Sequence, residues 1–266
     1  MNFPKASVVG IAAVLWLPGA TQGAAPAPVV APAGETRLES AQDLAQFMTY
    51  YYRQPRPELV TRAIEVLAGS EFLPSGERHD PSYQPRARIV VGFFGGIFAS
   101  HPEKLAEWRQ VIERRVDDSL TRKSLHEALE LASAGAQRGT QGMPASPYTC
   151  WGEFLATGDQ AFLRALVDPI QSNDGSRGRN GAAAATMMLL AYNAPYHPLV
   201  GQVIEAARAE ATARGRELLD DLLHKDLAAV GQEARNMTSD ATFAAGPGPY
   251  DWTGQGTPLP DSHQHF

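Results

Sequence analysis

The sequence predicts an all-α protein, an array of antiparallel helix pairs in an irregular HEAT-like or bundle-like arrangement. Three observations carry that expectation. Apolar residues recur at three- and four-residue spacing in almost every periodic segment from 40 to 236. No stretch alternates convincingly as a strand. Helix openings recur at capping residues and prolines, with second-helix starts at Pro57, Pro102, Asp159 and Pro198, about 39 to 57 residues apart.

The elements follow in order. Ser40 is an N-cap for a helix over 40–53, with Leu44, Phe47, Met48 and Tyr51 on one face. Pro57 opens the next, with Leu59, Ile64 and Leu67 apolar and Gly69 at its end. RARIVVGFFGGIFAS (86–100) is nearly all apolar and reads as a buried helix. Its Gly92, Gly95 and Gly96 each cost about 1 kcal/mol relative to alanine, which predicts close approach of another helix. Pro102 opens an amphipathic helix through Leu105, Trp108, Val111 and Ile112, and SLTRKSLHEALELASA (119–134) follows, ending at a loop from Gly135 to Pro147.

In WGEFLATGDQAFLRAL (151–166), Thr157-Gly158-Asp159 separates two apolar stretches. Gly158 suits the left-handed position after a helix, and Asp159 suits the N-cap of the next. A carboxylate among helix N–H donors favours its charged form, which suits a cap better than a general acid. The segment reads as a joint. GAAAATMMLLAYNA (181–194) is a second central helix, and His197-Pro198 opens a segment to 230 that is one long helix or two broken near Gly215.

The flanks differ. Residues 1–25 read as a signal peptide: Lys5, an apolar run from Val8 to Leu17, a Pro18-Gly19 break, and small residues allowing cleavage after Gly23 or Ala25. That run is shorter than the roughly 20 residues of a spanning helix, so no stable membrane anchor is expected after cleavage. Residues 26–39 form an Ala/Pro-rich linker, 40–236 the helical domain, and 237–266 a Gly/Pro-rich tail. Cys150 is the only cysteine, so no internal disulfide forms, and the net charge of −6 argues against nucleic acid as a partner. Export to a periplasmic or secreted location is the expected destination.

YYYRQPRPELV (50–60), FASHPEKLAEW (98–108) and FLATGDQAFLRAL (154–166) together resemble a family of exported bacterial helical proteins with no established activity. The resemblance implies a helical fold and export, and carries over no functional residue.

Several residue groups bear on chemistry. His101 and His197 share a following proline and could converge on a metal, though His-Pro is also an ordinary start to a helix. Asp220 and His224 lie on one helical face, as a cation site or a solvated ion pair. Cys150 beside Trp151 reads as a core residue. The Gly-rich loop at 173–186 reads as a connection, and the tail's Tyr250, Trp252, His263 and His265 as solvated. None of these makes a catalytic or metal constellation, and no cofactor is expected. The sequence favours a protein–protein interaction or scaffolding module of the cell envelope, its partner unidentified. Tyr50, Tyr51, Tyr52, Arg53 and Arg56 are the expected contact patch, since Tyr and Arg anchor interfaces. Open alternatives are a hydrolase or metal-dependent enzyme using dispersed histidines and carboxylates, and a binder of an apolar ligand.

Overall fold

Ser40 begins the first helix as its side chain predicts. Its hydroxyl accepts from the Asp43 N–H at 3.1 Å, and the Asp43 carboxylate accepts from the Ser40 N–H at 2.8 Å, a reciprocal capping box. A computed structural model describes residues 38–70, 72–73, 83–138, 146–173, 181–194, 196–224 and 229–230. Among them every regular element is helical: α1 (Ala41–Tyr50), α2 (Val60–Gly69), α3 (Tyr83–Ser100), α4 (Leu105–Arg115), α5 (Ser119–Arg138), α6 (Pro147–Thr157), α7 (Gln160–Gln171), α8 (Gly181–Asn193), α9 (Pro198–Arg208) and α10 (Ala213–His224). The protein is all-α. No described helix is long and apolar enough to cross a membrane. The stretches 1–37, 174–180 and 231–266, with the signal, most of the linker, the Gly-rich loop and the tail, lie outside the described residues.

Prolines set the starts. Gln54, His101 and His197 each precede a proline and adopt extended φ values of −144°, −133° and −128°. This is why α1 stops at Tyr50 and closes with a 3-10 turn over Tyr51–Arg53 rather than running to Arg53 as α-helix. The chain is packed from Leu38 onward: that residue is buried, and Arg62 Nε donates to its carbonyl at 2.9 Å.

α3 is the centre of the first half. Its residues 89–98 are all buried, and it makes its main contacts with α6 and α5. Ile89, Val90, Phe93, Phe94, Ile97 and Phe98 are all buried, each contributing about 1.5–3 kcal/mol relative to exposure. The glycines permit this. A Cβ on Gly92 would fall on the Thr149 carbonyl oxygen of α6, and one on Gly152 would fall on the Ile89 carbonyl oxygen of α3. The two backbones meet reciprocally, as the glycine content of α3 predicts. A helix needing partners on two sides cannot be half of a simple pair, so packing here follows burial rather than chain order. α4 packs on α2 and α5.

α7 is the corresponding centre of the second half, touching α6, α8, α9 and α10. The segment after His197 is two helices, the second of the two readings the sequence left open, with the break at 209–212, a few residues before Gly215. Thr212 makes the break: its hydroxyl accepts from Gly215 N–H at 2.9 Å, and its own N–H donates to the Gln171 carbonyl at 3.1 Å. Gly215 instead lets α10 lie on the end of α7, where a Cβ would collide with the Gln171 and Ile170 carbonyls. The helix after Asp118 runs on to Arg138, beyond the end expected at Ala134.

Candidate functional site

The Thr157-Gly158-Asp159 joint is structural. Gly158 takes φ +70°, its N–H donates to the Phe154 carbonyl at 2.7 Å, and Asp159 accepts from Ala161 N–H at 2.8 Å. Cys150 is buried, and its thiol is pushed up to about 12 by that burial and then by the Glu153 charge. A thiol so placed is not a nucleophile.

The histidines separate. His101 lies 3.3 Å from Glu103, with its ring edge-on to Trp108. His224 Nδ1 lies 2.9 Å from the Asp220 carbonyl of its own helix, while the Asp220 carboxylate pairs with Arg208 at 2.5 Å. The Asp220 and His224 side chains, though on one helical face, are therefore not paired with each other. His126 lines an open groove of about 590 Å³ between α4 and α5, together with Arg109, Glu113 and Glu130. Among the described residues, no three His, Cys, Asp or Glu side chains are placed to hold a metal.

His197 stands apart. It is 0% exposed, and burial followed by the nearby Arg53 charge lowers its pKa to about 3. The ring is neutral at physiological pH. Its Nδ1 lies 3.1 Å from the Tyr52 hydroxyl, and Arg53 Nε donates to that same hydroxyl at 3.1 Å. One hydrogen bond joins the Tyr52 hydroxyl to His197 Nδ1, and the other ring nitrogen, Nε2, is buried without a hydrogen-bond partner among the described residues. The rings of Trp151 (5.2 Å), Tyr52 (5.7 Å), Phe154 (6.0 Å) and Tyr50 (6.1 Å) surround it.

This cluster gathers most of the tyrosine–arginine segment into one device. Arg53 is exposed, yet its Nη2 donates to the Tyr196 carbonyl and its guanidinium carbon lies 5.1 Å from the Tyr50 ring centre and 5.6 Å from that of Tyr52. Tyr51 does not share the surface: it is 4% exposed, edge-on to Phe47 and Phe93, and its hydroxyl is pushed up to about 12 by burial and then by Glu58. Arg56 is paired with Glu58 at 2.7 Å.

No protein-family model, curated protein or solved structure matches the chain. The residues themselves are the guide to function. Reading the sequence alone placed Tyr52 and His197 in separate candidates, and it passed over Tyr196 and Trp151 as their neighbours. The two halves are 145 positions apart, and no local pattern signals their meeting.

Proposed function

We propose that this chain is an exported protein-interaction module of the cell envelope, and that its contact surface centres on Arg53 flanked by Tyr50 and Tyr52. One observation carries the reading. An exposed guanidinium is held from three directions, by the Tyr52 hydroxyl, by the Tyr196 carbonyl and by two tyrosine ring faces. Ordering a long side chain on association costs about 0.5–1.5 kcal/mol, and a side chain already ordered avoids much of that cost. Arginine and tyrosine are also the residue types that carry most energy at interfaces. The apolar run at Val8–Leu17 supports the export part of the proposal.

The test is crosslinking and capture in cells, with a tag placed in the linker at residues 30–36. A stoichiometric envelope partner recovered with the native chain and lost with Arg53→Ala is the expected result. Equal recovery with Arg53→Ala, or no partner under conditions that capture a known envelope complex, would overturn the proposal.

A further inference from the structure

The guanidinium of Arg53 has two usable edges, and the described residues engage only one. Nε and Nη2 form the side edge, and both are turned to the protein, toward the Tyr52 hydroxyl and the Tyr196 carbonyl. The end edge, formed by Nη1 and the second N–H of Nη2, is left without a carboxylate among the described residues. Two parallel N–H groups at that edge match the two oxygens of a carboxylate in a bidentate pair.

The surroundings define which anion fits. Arg56 is already matched by Glu58, which leaves Arg53 as the cation of the 50–56 segment without a carboxylate among the described residues. A phosphate monoester carries about −1.5 to −2 at neutral pH and calls for a second cation. The chain as a whole is at −6, which opposes a polyanion. A single carboxylate balances the site.

We infer that the Arg53 end edge, walled by the Tyr50 and Tyr52 rings, is a seat for one Asp or Glu side chain of a partner protein, with Tyr52 and His197 as its positioning residues. The chain of support runs inward. The Tyr52 hydroxyl bridges Arg53 Nε and His197 Nδ1, each at 3.1 Å, and His197 is immobilised among the rings of Trp151, Phe154, Tyr50 and Tyr52. The direction of a surface cation is thus set by a buried imidazole at the N-cap of α9. This rests on the contact surface proposed above and names its partner's chemistry.

The experiment is an NMR titration of the purified full chain, reading the Arg53 side-chain N–H signals and, in every variant including those without Arg53, the backbone amide signals of Tyr50 to Gln54. The probes are an end-blocked Ala-Ala-Glu-Ala-Ala peptide, its Gln analogue, and inorganic phosphate. The expected result is a saturable shift of the Arg53 signals with the Glu peptide alone. Charge-assisted hydrogen bonds are worth enough that Arg53→Lys, which keeps the charge and loses the fork, weakens the response by about tenfold. Tyr52→Phe, which keeps the ring and removes the hydroxyl, weakens it severalfold, whereas His197→Asn, which retains an acceptor near the Nδ1 position, preserves it. Equal shifts with the Gln analogue, tighter binding of phosphate, or an unchanged response in Arg53→Lys would each overturn the seat. Cellular capture that depends on Arg53, combined with no response to the Glu peptide, overturns the seat and leaves the contact surface standing. A specific peptide response without any captured partner supports the seat and overturns the interaction role.

Discussion

Replacing Gly92 by alanine tests the packing most sharply, because two effects of opposite sign meet there. Within a helix, Gly→Ala is worth about 1 kcal/mol in favour of alanine. At this position the new methyl would fall on the Thr149 carbonyl oxygen, with the Thr149 carbonyl carbon at 2.9 Å and its Cα at 3.0 Å. These are backbone atoms and cannot rotate aside, so α6 as a whole has to move out. Overpacking of this kind costs about 1–3 kcal/mol, occasionally more, and a gap of about 0.5–1 Å forfeits a quarter to a half of each dispersion contact along the seam. We expect Gly92→Ala to be destabilised by up to about 2 kcal/mol after the helix gain is subtracted. Gly152→Ala behaves alike, and the double variant costs less than the sum because one displacement serves both. Gly95→Ala costs less, since its methyl meets the Leu131 side chain, which can turn. Gly201→Ala in α9, with nothing within 4 Å, gains up to about 1 kcal/mol. Urea denaturation followed by circular dichroism reads all of these, with the slope checked for constancy. If Gly92→Ala and Gly201→Ala shift the midpoint in the same direction, the close-approach account of α3 and α6 is refuted.

Three further outcomes follow from the same coordinates. His197 has its folded pKa lowered to about 3 from 6.5, so the unfolded chain binds the extra proton between those values. Its contribution is complete above pH 6.5 and is lost as the pH falls toward 3; the stability difference between the native chain and His197→Asn should shrink by about 1.4 kcal/mol per pH unit between pH 5.5 and 4, and a flat difference there would contradict a buried neutral imidazole. At the α6–α7 joint, Asp159→Ala should cost about 1 kcal/mol and Asp159→Asn almost nothing. Cys150 should resist a disulfide reagent at pH 8 in the folded chain and react only on unfolding; rapid stoichiometric labelling of the native protein would rule out its burial.

Features governed by neighbouring residues were legible in the sequence. The left-handed Gly158, the Asp159 cap, the Ser40 cap and the proline-led helix starts all depend on residues within one turn of each other. The glycines of α3 announced a close neighbour without naming it. Gly215 signalled the break after α9 to within a few residues, but its cause, Thr212 capping α10 while bonding to Gln171 across the fold, is tertiary and left no local mark. Periodicity put Tyr51 on the apolar face, yet it could not show that Tyr50 and Tyr52 would sandwich Arg53 while Tyr51 turned to Phe47 and Phe93. His197 carried only the mark of a residue before proline. Its meeting with Tyr52 closes a loop of most of the domain, and spacing holds no information at that range.

The glycine-to-glycine crossing also dictates an order of events during synthesis. Gly92 and Gly152 are sixty positions apart, so α3 leaves the ribosome well before the helix that covers it exists. Until α6 arrives, the face of this 18-residue helix that α6 covers stays open, while Phe47, Tyr51 and α5 shelter other parts of it. Contacts of such separation carry the loop-closure cost that slows folding, and uncovered apolar surface is what draws chains into aggregates. The half-made protein is therefore its most vulnerable form, and completion of α6 is the step that ends the exposure.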